Sequence, residues 1–122
     1  MALTPSALLA LADELSHRDD EVGLRAAIGR AYYAAAHRAC AIGIAAGLFS
    51  GRPNLHQVWS LLIEDGWSEV GMEGRWLKGL RTRADYDLDF AGDLAAEATA
   101  AVALARELIA RLDALPPPVS VR

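Results

Sequence analysis

Leu24-Arg25-Ala26-Ala27-Ile28-Gly29-Arg30-Ala31-Tyr32-Tyr33-Ala34-Ala35-Ala36-His37 is the stretch that decides the fold. It is built on alanine, the strongest helix former, and holds no proline. Leu24, Ala27, Ile28, Ala31 and Ala35, continued by Ile42, recur at helical steps. The spacing predicts one long helix from about Glu21 to about Ala46. Gly29 and Gly43 lie inside it, each costing roughly 1 kcal/mol against alanine. Close packing of another helix is the expected reason for Gly29.

Working outward, the same period returns in four further segments. Thr4-Pro5 opens a first helix, since threonine caps and proline suits the first helical position. Leu8, Leu11, Ala12 and Leu15 follow at helical spacing, and residues 16–20 form a polar connection. Beyond the long helix, residues 47–54 carry two glycines and a proline and read as a loop. Asn54 is the expected cap of a third helix with the stripe Leu55, Val58, Trp59, Leu62 and Ile63, stopped by Asp65-Gly66. Ser68 is the expected cap of a fourth, with Met72, Trp76 and Leu80 on its apolar face and its end near Asp89. Gly71, Gly74 and Gly79 disfavour that helix. Asp93 caps the last helix. There Leu94, Ala98, Ala101, Ala105, Leu108, Leu112 and Leu115 alternate steps of four and three, a heptad seam. It suits packing within the chain or between two copies. Pro116-Pro117-Pro118 ends the helix, and the tail 116–122 is expected to fray.

No window alternates with period two, so no strand is expected. The expectation is a single all-α domain over residues 1–122, with its core in about 5–115. Its architecture is an antiparallel bundle of four to five helices. The 122 residues are 53% hydrophobic and 23% charged, a globular balance. The net charge of −4 excludes a large basic field over the whole surface. Cys40 is the single cysteine and Lys78 the single lysine. One cysteine forms no internal disulfide and builds no cysteine-rich zinc site. His17, His37 and His56 lack metal-ligand spacing, so neither a metal nor a cofactor is expected. No signal peptide or apolar span is evident, and a cytoplasmic protein without membrane contact is the expectation.

Two polar clusters stand out. Arg30 and His37 are seven residues apart, so at about 100° per residue they share one helix face, with Tyr33 between them. Arginine grips phosphate bidentately, and histidine exchanges protons near neutral pH. Metal-free RNA cleavage needs such groups: a base for the 2′-hydroxyl and a cation where charge develops on the phosphate. The same residues also fit a bundle interior, with Tyr33 and His37 hydrogen-bonded at their tips and Arg30 paired to a carboxylate. Cys40, three residues beyond His37, makes a Cys–His nucleophile pair conceivable, although a core cysteine fits better.

The second cluster is Arg75, Lys78, Arg81 and Arg83, followed by Asp85, Asp87 and Asp89. Arg81–Asp85 and Arg83–Asp87 are four apart and suit ion pairs along an exposed helix face. The basic residues alternatively form a phosphate-contacting strip. Asp85 also suits an interaction with Arg30 across helices. Trp59, Trp67 and Trp76 read as core or interface aromatics.

Leu24 to His37, followed by Arg81-Thr82-Arg83-Ala84-Asp85-Tyr86-Asp87, resembles the HEPN domain superfamily. More narrowly, it is similar to the small stand-alone bacterial and archaeal members. Those carry an AISRAYYAAFH-like second helix and an R-x-x-ADY-like segment. His56, in Leu55-His56-Gln57-Val58-Trp59, sits where such proteins often place a histidine. The resemblance covers about residues 5–115. It implies an all-α bundle, commonly a homodimer. The superfamily includes metal-independent ribonucleases of toxin–antitoxin, CRISPR-associated and anti-phage systems, many of them paired with a small nucleotidyltransferase antitoxin. Active members use Arg-x(4–6)-His, and two such motifs meet in the dimer to form one RNA-cleaving cleft. Arg30 to His37 has six intervening residues. By that resemblance Arg30 holds the scissile phosphate and His37 acts as general acid or base, with Tyr33, Asp85 and Tyr86 in support. The alternative it leaves is a non-catalytic module that binds RNA, a nucleotide or a partner such as a nucleotidyltransferase.

Overall fold

The computed structural model of the protein describes residues 3–49 and 51–115. Five α-helices and a 3-10 turn follow one another: α1 (Pro5–Ser16), α2 (Glu21–Ala45), the turn Leu55–Gln57, α3 (Val58–Glu64), α4 (Ser68–Tyr86) and α5 (Leu94–Asp113). No strand occurs among the described residues. The expected fraying of the tail 116–122 lies outside them.

The helix starts are fixed by short polar side chains. Thr4 accepts from the Ala7 N–H at 3.1 Å, Asp20 from Gly23 at 2.9 Å and Asp93 from Ala96 at 3.1 Å. Each bond satisfies one of the amides that a helix leaves unpaired at its first turn. Asn54 does the same for His56 at 2.9 Å, but the element it opens is the 3-10 turn that leads into α3. Ser68 is the first residue of α4 rather than its cap, and the cap position, Trp67, makes no side-chain bond.

Two glycines end α2 and α3 alike. Gly47 (φ 73°) and Gly66 (φ 93°) adopt the left-handed conformation that glycine accommodates without strain. The next amide then reaches back over the turn, Leu48 N–H to the Gly43 carbonyl and Trp67 N–H to the Leu62 carbonyl, each at 2.9 Å. This is the glycine-terminated C-cap of a helix. α4 stops at Tyr86, earlier than the expected end near Asp89, because Asp87 turns to an extended backbone.

α2 is the central element. Its alanines at 27, 31, 34, 35, 36 and 39 are fully buried, together with Ile28 and Tyr32. Small side chains let α1, α3, α4 and α5 all lie against it. Ala98, Ala101, Ala105, Leu108 and Leu112 of the α5 seam are buried in the same core. The heptad seam is therefore used inside the chain, not kept for a second copy.

Gly71 and Gly74 of α4 have a packing reason, whereas Gly79 faces open space. A Cβ on Gly74 would enter the indole of Trp59, and one on Gly71 would lie 2.8 Å from the Trp59 carbonyl oxygen. α4 thus turns Val70, Gly71, Gly74, Leu77, Leu80, Arg81 and Ala84 inward. Met72 and Trp76, expected on the buried face, are 58% and 56% exposed. Gly71 and Gly74, invisible to a hydrophobicity count, mark the contact face. Gly29 is different. A Cβ there would meet only Asp85 Oδ1, at an ordinary 3.8 Å, so no helix backbone crowds it as expected.

Candidate functional site

The α2 stripe of Arg30, Tyr33 and His37 holds at the surface. Arg30 and His37 are exposed and Tyr33 is half-buried between them. Among the described residues neither Arg30 nor His37 makes a hydrogen bond or ion pair, and the His37 ring lies beside the Tyr33 ring, at 6.3 Å between centroids. The buried-arginine alternative therefore does not describe Arg30. Cys40 is buried while His37 is exposed, which leaves no solvent-facing Cys–His pair.

Behind the stripe lies a second layer. Arg81 of α4 is only 8% exposed. Its guanidinium sits 5.5 Å from the Tyr33 ring centre, 5.8 Å from Tyr32 and 6.0 Å from Tyr86. The negative ring faces partly replace the water this cation has lost. Its Nε donates to Asp85 Oδ2 at 3.0 Å, the expected four-residue pair. Burial works against the Arg81 charge, but the Asp85 bond and the neighbouring Tyr33 outweigh it and raise the pKa. Asp85 is thereby engaged within its own helix, and the expected Arg30–Asp85 bridge is not formed. Arg83 does not pair with Asp87 either. Its Nη2 donates to the Ala91 carbonyl at 3.0 Å and its guanidinium lies 4.6 Å from the Phe90 ring centre. The helix has ended at Asp87, so the four-residue spacing no longer brings the two together.

The four basic residues of α4 do not form one strip. Arg75 and Arg83 line a groove of about 300 Å³ with Trp76, Gly79, Leu80 and Glu97. Lys78 points elsewhere, its Nζ donating to the His56 carbonyl at 3.5 Å, and Arg81 faces the tyrosines. Residues three apart drift by about 60° per step, enough over two steps to separate Arg75 from Arg81.

A buried hydrogen-bonded chain joins α2 to the 3-10 turn and α3. Trp59 Nε1–H donates to the Tyr32 hydroxyl at 3.2 Å, and that hydroxyl lies 3.0 Å from His56 Nδ1. Burial raises the Tyr32 pKa, against the smaller opposing effects of Trp59 and Arg81. Burial also lowers that of His56, with Arg81 and Lys78 adding to the effect. His56 is therefore neutral near pH 7. Its ring borders Tyr33 at 6.2 Å, on which His37 also rests. The parts of Tyr32 and Trp59 were not legible as a site. Their only sequence signal is that Tyr32 falls on the α2 face of Ile28, Ala35 and Ala39, where a phenol needs a polar partner.

No group of three or more histidine, cysteine or carboxylate side chains able to hold a metal occurs among the described residues. No described helix is long and apolar enough to cross a membrane. No family model, curated protein or solved structure matches this chain.

Proposed function

We propose that this protein is a HEPN-like antiparallel helical bundle that binds and cleaves RNA without a metal, as a component of a toxin–antitoxin or defence system. The observation that carries the reading is the state of Arg30 and His37. Both are exposed on one face of α2, and neither spends its charge or proton on another described residue. Both side chains are thus open to an incoming phosphate and its neighbouring ribose. The helix rise separates the two by about 10 Å along the axis, a span that a nucleotide bridges once the arginine extends.

In this reading Arg30 donates two N–H groups to the non-bridging oxygens of the scissile phosphate. His37 takes the 2′-hydroxyl proton as the 2′-oxygen attacks phosphorus. The bond from phosphorus to the 5′-oxygen breaks, and a proton returns to that oxygen. The products are a 2′,3′-cyclic phosphate and a 5′-hydroxyl. Tyr33 holds His37, and Arg81, fixed by Asp85, supports Tyr33 from behind. A homodimer would bring two copies of the motif together, with the α5 seam excluded as its interface.

A second reading is a non-catalytic module that binds a partner protein, such as a nucleotidyltransferase, or a nucleotide. It is favoured by the mutual pairing of Arg81, Asp85 and the three tyrosines, a self-satisfied network. An RNA-cleavage assay in EDTA separates the two readings. Cleavage by wild type, lost in Arg30→Ala and His37→Ala variants that remain helical by circular dichroism, supports the enzyme. Absence of cleavage, or undiminished cleavage by both variants, removes Arg30 and His37 from catalysis.

A further inference from the structure

We infer that His56 is a second ligand-contacting histidine of the α2 site, positioned by Trp59 and Tyr32 so that its Nε2–H donates to a phosphate oxygen. The inference rests on the RNA-binding reading above and extends it to residues outside the Arg30–His37 motif.

Hydrogen-bond capacity fixes the tautomer of the His56 ring. An indole N–H only donates, so the Tyr32 oxygen accepts from Trp59. Tyr32 is fully buried, and its single O–H proton needs an acceptor. His56 Nδ1, at 3.0 Å, supplies it. Nδ1 is then unprotonated, and the proton of the neutral ring resides on Nε2. That nitrogen makes no hydrogen bond among the described residues and is not among their buried unpaired atoms, so it reaches solvent. The groups facing the ring are Tyr32 and Tyr33 of α2, and Lys78 and Arg81 of α4. Both charged neighbours are cations, which favour an anion at Nε2 and disfavour protonation of the ring.

The two histidines beside Tyr33 therefore divide the work. His37, with no hydrogen bond among the described residues, is able to exchange a proton. His56 holds an oxygen without transferring one. To surrender the Nε2 proton it would have to take the Tyr32 proton at Nδ1, leaving a phenolate in the core. Tyr32 and Trp59 are positioning residues, and His56 makes the contact.

The test uses the full chain, histidine ¹⁵N–¹H correlation spectra and a 2′-O-methyl oligoribonucleotide, which lacks the attacking hydroxyl. His56 is expected as the single Nε2–H tautomer at neutral pH, and its Nε2 signal is expected to shift on titration. His56→Leu should weaken binding about tenfold, the size of one hydrogen bond to an anion. His56→Gln, which offers an amide N–H near Nε2, should stay within about threefold of wild type. Tyr32→Phe should free Nδ1, mix the tautomers and raise the pH at which His56 titrates, a change that loss of packing alone does not produce. An Nδ1–H tautomer in wild type, an unmoved His56 signal at saturation, or undiminished binding by His56→Leu overturns this inference and leaves the RNA reading standing. Failure of wild type to bind the oligonucleotide overturns both.

Discussion

Gly74→Ala, compared with Gly79→Ala, tests how α4 is seated. Both positions lie in the same helix, and both changes add one methyl group. Each gains about 1 kcal/mol of helix propensity, so that contribution cancels in the comparison. What remains is the environment. A Cβ on Gly79 meets nothing within 4 Å, whereas one on Gly74 enters the indole of fully buried Trp59. Overpacking of this kind costs about 1–3 kcal/mol, and a ring held by surrounding core belongs at the upper end. Gly79→Ala should be about 1 kcal/mol more stable than wild type, and Gly74→Ala about 1–2 kcal/mol less stable. Urea unfolding read by circular dichroism measures both as shifts of the midpoint at constant slope. Displacing Trp59 also disturbs its bond to Tyr32. Gly74→Ala should therefore also move the His56 signals, while Gly79→Ala leaves them in place. A Gly74→Ala protein as stable as Gly79→Ala refutes the packing account of the α4 glycines.

Tyr32→Phe keeps the ring but removes the acceptor of Trp59 Nε1–H. An orphaned buried donor costs about 1–3 kcal/mol, so the urea midpoint should fall, and a midpoint equal to wild type would show that water or another group satisfies the indole. The pH dependence of stability has a definite sign. His56 titrates below its ordinary 6.5 in the folded chain, so between the two values the unfolded chain binds more protons. Its contribution is complete above about 6.5 and declines as pH falls, levelling once the folded ring also protonates. Urea midpoints at about pH 7.5 and 5.5 should differ more for wild type than for His56→Gln, and an equal or smaller difference contradicts the burial of a neutral ring.

The helical reading was legible because each level of the sequence agreed. Alanine content, the three-and-four spacing of apolar residues and the caps Thr4 and Asp93 all point to helices. The long α2 ends one residue from its expected limit. The α4 face was misread because hydrophobicity favours Met72 and Trp76, while the contact is made by Gly71 and Gly74. A glycine at a helix contact and a glycine at a solvent-facing position, such as Gly79, look the same in sequence. The stripe of Arg30, Tyr33 and His37 was equally legible, since helix geometry alone puts those residues on one face.

What neighbours that stripe was not legible, because local spacing says nothing about how helices sit against one another. Asp85 was as plausible a partner for Arg30 as for Arg81. Only the packing of α4 on α2 turns Arg81 inward among the tyrosines and leaves Arg30 free. The seam of α5 was equally consistent with one chain or two, and burial against α2 places it within one. The sequence by itself determined the helices and which residues share a helix face, properties of about one to two turns of chain, while the ends of α3 and α4 departed from it by a few residues. The tertiary structure decided which faces meet, and with them the Trp59–Tyr32–His56 chain. Its members are 24 and 27 residues apart and become neighbours only when the core closes.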